Sequence, residues 1–297
     1  MQLDYNNLLI LLCQMRISLF LIFRSVYAEN GIDATERSLM TSNDSTTIDE
    51  KRKLRAAVRA RRGAIAHELR RDKSEAVSAL LCRLFGIGGA CLDARETLCD
   101  ATARAMGGRD AQPHDEFATN APESPASIVF ADSADVDVVF PLESGMTVAV
   151  YRAFPDEADP APFVRCCYAS GVHVAFPCMN EKEVDDDPMY MRLVSAEQYE
   201  TGSAPFVRNP LARFGRDDRR AADFPIADPS RIDAVVVPLV AFDDGCRRLG
   251  YGGGNYDTFI ARLADTTPLI GAAFAEQRIE RIPTEPHDRK LTGIVYA

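Results

Sequence analysis

The densest group of chemically distinctive residues is Arg247-Arg248-Leu249-Gly250-Tyr251-Gly252-Gly253-Gly254-Asn255-Tyr256-Asp257. Glycine accepts positive φ and lets main-chain N–H groups approach an anion, and the arginines bring fixed cations to the same place. An apolar run, Ala234 to Pro238, lies upstream, and Tyr256, Phe259, Ile260 and Leu263 follow at helical spacing. Strand, glycines and helix in that order suit a phosphate-sized anion, with the helix N-terminus adding its positive dipole end. The same glycines also read as a flexible surface turn. No Gly-Lys-Ser/Thr follows, so this is not a Walker A loop, and Asn255 stands where a dinucleotide fingerprint needs its third glycine.

A second cluster of cations lies far upstream, in Lys51, Arg52, Lys53, Arg55, Arg59, Arg61 and Arg62. Thr47-Ile48-Asp49-Glu50 has the hydroxyl and carboxylate spacing of a capping box and predicts a helix start there. Leu54, Ala57, Val58, Ile65 and Leu69 give its apolar side, with a break at Gly63. The cations make either a solvated face or, in so acidic a chain, a patch for a polyanionic ligand. A second helix is expected from His67 to Phe85, closed by Gly86.

The 297 residues carry a net charge of −10, which argues against a general nucleic-acid binder. Eight cysteines without paired metal spacing, and only four histidines, argue for reduced thiols in a cytoplasmic protein and against a zinc site. The apolar runs Leu8 to Leu12 and Ile17 to Phe23 are broken by Gln14 and Arg16 and fall short of a membrane span. Asp4, with no Lys or Arg before the apolar run, disfavours a signal peptide, although Val26-Tyr27-Ala28 has the look of a cleavage site. Residues 1–47 are therefore expected to be an extension, with Met40 a possible true start and Thr41 to Thr47 a polar linker.

These residues must be positioned by a scaffold. Strands are expected at Ile128 to Phe130, Val136 to Phe140, Thr147 to Tyr151, Val172 to Phe176 (ending at Pro177), Met189 to Val194, Ala234 to Val237, Leu269 to Phe274 and Ile294 to Tyr296. A helix at Pro160 to Ala169 falls among them. The alternation predicts an α/β fold, a largely parallel sheet flanked by helices in an open three-layer arrangement, as a single domain over 48–297. Residues 86–127, rich in Gly, Ala, Asp, Pro and Ser, read as an insertion. Ligands of such sheets bind beyond the carboxyl ends of the strands, where the glycine stretch is expected.

Val237 to Asp243 followed by Arg248-Leu249-Gly250-Tyr251-Gly252-Gly253-Gly254-Asn255-Tyr256-Asp257 resembles the signature of the 5-formyltetrahydrofolate cyclo-ligase family. Lys51 to Arg55 resembles its Lys-x-x-Leu-Arg helix, Tyr151 through Glu157 its strand and acidic loop, Met189-Tyr190-Met191 its Met-x-Met strand, and Pro283 to Asp288 its closing segment. The resemblance covers Glu50 to Phe85 and Thr147 to Ala297. It implies a ligase that uses ATP and Mg²⁺ to convert 5-formyltetrahydrofolate to 5,10-methenyltetrahydrofolate, a cytoplasmic monomer acting on small molecules with no nucleic acid or membrane partner. The alternative is a divergent paralogue that binds folate or nucleotide with little turnover. It further implies that Lys51, Arg55, Arg248, Leu249, Gly250, Tyr251, Gly252, Gly253, Gly254, Asn255 and Tyr256 bind ATP, with Arg248 and Tyr256 catalytic. Asp257 and Asp288 would hold the metal, and Glu157, Arg152, Met189, Met191 and Tyr151 the folate. The family usually has Arg at the position of Tyr251, Tyr at that of Asn255 and Gly at that of Leu239, so one phosphate contact is expected to be missing.

Overall fold

The computed structural model describes residues 34–88, 128–130, 139–181, 187–285 and 288–297. The chain divides into two units, Met1–Glu50 and Lys51–Ala297. In the first, the described residues 34–50 are helical, the start of helix α1, Ala34–Gly63. The capping-box expectation is corrected here: Thr47 lies inside a helix that begins at Ala34, and the polar run 41–47 is helical rather than a linker. Most of the insertion, residues 89–127, lies outside the described residues, as do 136–138 of an expected strand, while 139 and 140 are not strand.

The second unit is built on a seven-stranded sheet. Its strands are β1 (Ile128–Phe130), β2 (Thr147–Val150), β3 (His173–Met179), β4 (Met189–Val194), β5 (Ala234–Pro238), β8 (Leu269–Ala273) and β9 (Gly293–Tyr296), in the spatial order β1-β9-β8-β5-β2-β3-β4. Every pairing is parallel except β3 with β4. β3 runs on through Pro177 instead of ending there. β2 registers only with His173 to Ala175, so the proline, which has no N–H to donate, lies beyond that pairing.

Alternate strand residues serve two cores. Val148, Val150, Val174, Phe176, Val236 and Ile270 face one, covered by helices α2 (His67–Leu84) and α3 (Ala161–Ala169) through Leu81, Leu84, Phe163 and Val164. Ala149, Ala175, Val235, Val237, Leu269 and Ile294 face the other, which holds Phe259, Ile260 and Leu263 from helix α6 (Asn255–Ile260) and the turn after it. Strands buried on both faces need unbroken apolar runs, and Ala234-Val235-Val236-Val237 is one. The expected α/β three-layer arrangement is the one observed. Helices α4 (Ala196–Glu200) and α5 (Pro205–Arg208) lie between β4 and β5 in the chain.

Within its second-unit portion, α1 turns Lys51, Val58 and Arg62 inward, and Ile65 beyond its end is buried too. Ala57 and Leu69, expected on the apolar side, are exposed. Between β5 and α6 the chain forms a two-stranded antiparallel ribbon, β6 (Ala241–Phe242) and β7 (Arg248–Leu249). The buried Asp243 carboxylate closes it, accepting from the N–H groups of Gly245 at 3.0 Å, Arg247 at 3.1 Å and Ile282 at 3.0 Å. Removing an acceptor of three main-chain donors leaves them unsatisfied. Asp243→Ala is therefore expected to lower the unfolding free energy by about 3 kcal/mol, read as a reduced midpoint in chemical denaturation.

Candidate active site

The glycine stretch joins β7 to α6. Arg55 Nε donates to the Gly250 carbonyl at 2.8 Å, so α1 holds the loop by its backbone. Gly252 has φ of +93°, and a Cβ there would lie 3.2 Å from the Arg55 guanidinium carbon. Both conditions select glycine. Gly254, at φ +69°, turns the chain into α6.

A cavity of about 370 Å³ opens on one side of the loop. Six cations line it, Lys51, Arg55, Arg247, Arg248, Arg289 and Lys290, against three carboxylates, Asp257, Glu285 and Asp288. The buried Lys51 ammonium donates to Glu285 at 2.6 Å and to Asp288 at 2.8 Å. Burial alone would lower the Lys51 pKa, but the hydrogen bonds to Asp288 and Glu285 outweigh it and hold it above the ordinary value. Arg248 donates to Asp257 and, at 3.1 Å, to the Arg289 carbonyl.

A second cavity of about 290 Å³ lies beyond the carboxyl ends of β2, β3 and β5, where Tyr151, Met179 and Pro238 meet. Phe154, Met189, Leu211 and Tyr256 make its walls largely apolar, with Arg152 and Glu157 as charged groups. Arg248, Gly250, Gly252, Gly254 and Asp257 line both cavities, so the loop is a shared wall. Glu157 is buried. Its Oε2 accepts from the Phe154 N–H at 2.8 Å, and its Oε1 accepts from the Tyr251 hydroxyl at 2.5 Å. Loss of solvent raises its pKa, and those two bonds with the nearby Arg62 offset part of the rise. The Tyr256 hydroxyl is buried with no hydrogen-bond partner among the described residues, and burial raises its pKa strongly.

Lys51, Arg55, Arg248, Leu249, Gly250, Gly252, Gly254, Asp257 and Asp288 are thus brought to one cavity. Tyr151, Arg152, Glu157, Met189 and Tyr256 are brought to the other, which Tyr251, Gly253 and Asn255 line as well. Asn255 points its amide at the Met179 sulfur, 3.8 Å away. Met191 is not among the lining residues. It packs in the core with Ala149, Ala175 and Val235. Arg62 was missed as a site residue. Fully buried, it donates to Asp156 at 2.6 Å and to the Tyr251 oxygen at 2.8 Å. The signal was present: Lys51, Arg55, Val58 and Arg62 fall at i, i+4, i+7 and i+11, one stripe of a helix.

A cation-lined chamber thus shares a wall with a largely apolar one that opens at the carboxyl ends of β2, β3 and β5. The model of the 5-formyltetrahydrofolate cyclo-ligase family matches residues 133–297. The 5-formyltetrahydrofolate cyclo-ligase of Escherichia coli K12 is 28% identical over 156 residues, 52% of this chain and 80% of the relative. The mouse protein of that name is 33% identical over 158 residues, 52% and 74% of the two chains. The chain belongs to the 5-formyltetrahydrofolate cyclo-ligase family, and its members are ligases. The solved 5,10-methenyltetrahydrofolate synthetase of Aquifex aeolicus superposes with a TM-score of 0.47 at 20% identity, covering 83% of this chain and 89% of its own. The matched span does not reach α1, so the place of Lys51 and Arg55 beside the glycine loop is a structural observation independent of the family match.

Because burial raises the Glu157 pKa, the folded chain retains a proton that the unfolded chain has released just above the ordinary value of 4.5. Stability is lost as pH rises through the raised pKa and stays lower above it. Glu157→Gln, which mimics the protonated form, is expected to melt at a higher temperature than wild type at neutral pH. The gap should close as the pH falls below the ordinary glutamate range, as thermal unfolding at several pH values will show.

Proposed function

We propose that this ligase closes 5-formyltetrahydrofolate to 5,10-methenyltetrahydrofolate with cleavage of ATP to ADP and phosphate. The observation that carries this reading is the shared wall. A chamber rich in cations and an apolar one with a buried carboxylate meet at Gly250 to Gly254, Arg248 and Asp257. The triphosphate would occupy the first chamber, with Lys51 a flexible point charge, and Arg55 and Arg248 planar donors. The folate ring system would lie against Met189, Phe154 and Tyr151, with Glu157 accepting from pterin N–H groups.

A formyl oxygen is a poor leaving group. It attacks the γ-phosphorus, the bond from that phosphorus to the ADP oxygen breaks, and a phosphorylated iminium-like carbon results. N10 then adds to that carbon, N10 loses its proton, and phosphate departs. The protein's share of this chemistry is alignment and charge. Arg248 lines both chambers and can follow charge from the γ-phosphate to the transferred oxygen. The Tyr256 hydroxyl, buried without a partner among the described residues, would donate to a ligand oxygen only if the wall admitted one to it. N10 is a weakly basic amine whose proton can go to solvent, so no dedicated base is required.

The carboxylates also fit Mg²⁺. Asp257 and Asp288 are hard oxygen donors facing the same cavity as the cations. Among the described residues no group of three or more His, Cys, Asp or Glu could hold an ion alone, which suits a metal shared with phosphate oxygens and water. Bound there, Mg²⁺ would neutralise phosphate charge, while Asp257 and Asp288 orient it. For location we propose the cytoplasm, and for assembly a monomer. The described cysteines, Cys82, Cys166, Cys167, Cys178 and Cys246, are buried thiols and not disulfides, the state a reducing compartment keeps. Among the described residues no helix is long and apolar enough to cross a membrane.

Purified protein mixed with ATP, Mg²⁺ and 5-formyltetrahydrofolate should produce the near-ultraviolet absorbance of methenyltetrahydrofolate. Nucleotide binding without product would leave a binding protein and sink the enzymatic reading. Lys51→Ala should raise the KM for ATP about tenfold or more, since a charge-assisted bond to phosphate is lost. An unchanged constant would remove Lys51 from the site.

A further inference from the structure

We infer that Tyr251 is a positioning residue that fixes Glu157 for the pterin-side substrate, and not a phosphate contact. The inference rests on the folate reading of the apolar chamber and adds a specificity role within it. Tyr251 stands between two glycines of the loop, yet its side chain lines the apolar chamber and is absent from the lining of the cationic one. Its hydroxyl uses both hydrogen-bonding capacities at once, donating to Glu157 Oε1 at 2.5 Å and accepting from Arg62 Nη2 at 2.8 Å. The ring is held as well. Phe154 meets it edge-on at 5.9 Å, and the guanidinium carbons of Arg59 and Arg62 each lie 5.7 Å from its centre.

The consequence falls on Glu157. Its Oε2 is fixed by the Phe154 N–H and its Oε1 by Tyr251, so the carboxylate is pinned at both ends with one lone pair per oxygen left for a ligand. Arg62 does not itself bond Glu157: its Nη1, buried without a hydrogen-bond partner among the described residues, lies 3.8 Å from the carboxylate, and its short bonds go to Asp156 and to Tyr251. The phenol is therefore the bridge by which a buried cation orients a buried carboxylate. It also ties the glycine loop to the segment after β2, linking the wall of the triphosphate chamber to the folate chamber.

The charged and titratable groups around Glu157 are Arg62 from α1, Asp156 beside it, Tyr251 from the loop, Tyr151 after β2 and Tyr256 from α6. Of these, Tyr251 and Arg62 favour the ionised carboxylate. Removing the hydroxyl thus raises the pH at which Glu157 takes up a proton.

The test is Tyr251→Phe, which keeps the ring and its packing on Phe154. Steady-state kinetics should show the KM for 5-formyltetrahydrofolate rising about tenfold, with the KM for ATP changed by less than about twofold. The acid limb of the folate kcat/KM profile should move to higher pH. The double variant Glu157→Gln with Tyr251→Phe should be no worse than Glu157→Gln alone, since the hydroxyl acts through that carboxylate. An unchanged folate constant, a loss confined to ATP, or fully additive losses in the double variant would overturn the assignment. So would a drop in thermal stability with equal losses for both substrates. Wild-type protein that neither binds nor converts 5-formyltetrahydrofolate overturns the folate reading together with this inference. Active wild type with an indifferent Tyr251→Phe overturns the inference alone.

Discussion

A guanidinium laid against a glycine backbone sets the geometry of the whole site. Arg55 reaches the Gly250 carbonyl past Gly252, where a Cβ would crowd the guanidinium carbon at 3.2 Å. That bond fastens the inward stripe of α1 to a loop nearly 200 positions later in the chain. Once the loop is fixed, Lys51 lines the cationic cavity and Arg62 bonds Tyr251, a lining residue of the apolar one. The sheet contributes the floor, since Tyr151, Met179 and Pro238 stand at the ends of three strands whose order is set by parallel pairing. Fold and chemistry therefore meet in one contact between a helix and a loop.

Charge distribution explains how such a cavity is tolerated when empty. Six cations in one cleft repel one another, and in a partly desolvated place that repulsion is screened little. Glu285 and Asp288 neutralise Lys51, and Asp257 neutralises Arg248. In the proposed reading, an arriving triphosphate would have to compete with these carboxylates for the same donors. A divalent cation, if bound as proposed, would relieve the competition by giving the displaced carboxylates a partner of their own.

Much of this was legible in the chain itself. Apolar runs of β-branched residues announced the buried strands, and two arginines before a run of glycines pointed to the loop that lines the cation-rich cavity, because both signals depend on local chemistry alone. The errors came where distant contacts decided. Thr47 has the spacing of a cap, but the helix already began at Ala34. Pro177 reads as a strand end, yet it continues in β3 because the neighbouring pairing with β2 has already stopped. Met191 alternates with Met189 in the sequence as it does in the strand. Both are buried, but only Met189 reaches the cavity wall. The β6–β7 ribbon was invisible because two-residue strands carry no periodicity, and Asp243 closes it through backbone donors that no motif records. Arg62 was read as one cation of a solvated face or polyanion patch, and Tyr251 as an ATP-loop residue at which the family's phosphate-contacting Arg is missing. Their pairing depends on two segments 189 positions apart, which no local pattern encodes.

The central claim is that one glycine loop separates a triphosphate chamber from a folate chamber and brings their reacting atoms together at Arg248. A crystal structure with Mg²⁺, a non-hydrolysable ATP analogue and 5-formyltetrahydrofolate tests it most directly. The account predicts the γ-phosphate between Lys51, Arg55 and Arg248, the pterin against Met189 and Glu157, and the formyl oxygen facing the γ-phosphorus across the wall. Both ligands in one chamber, or a formyl group turned away from the phosphate, would contradict it.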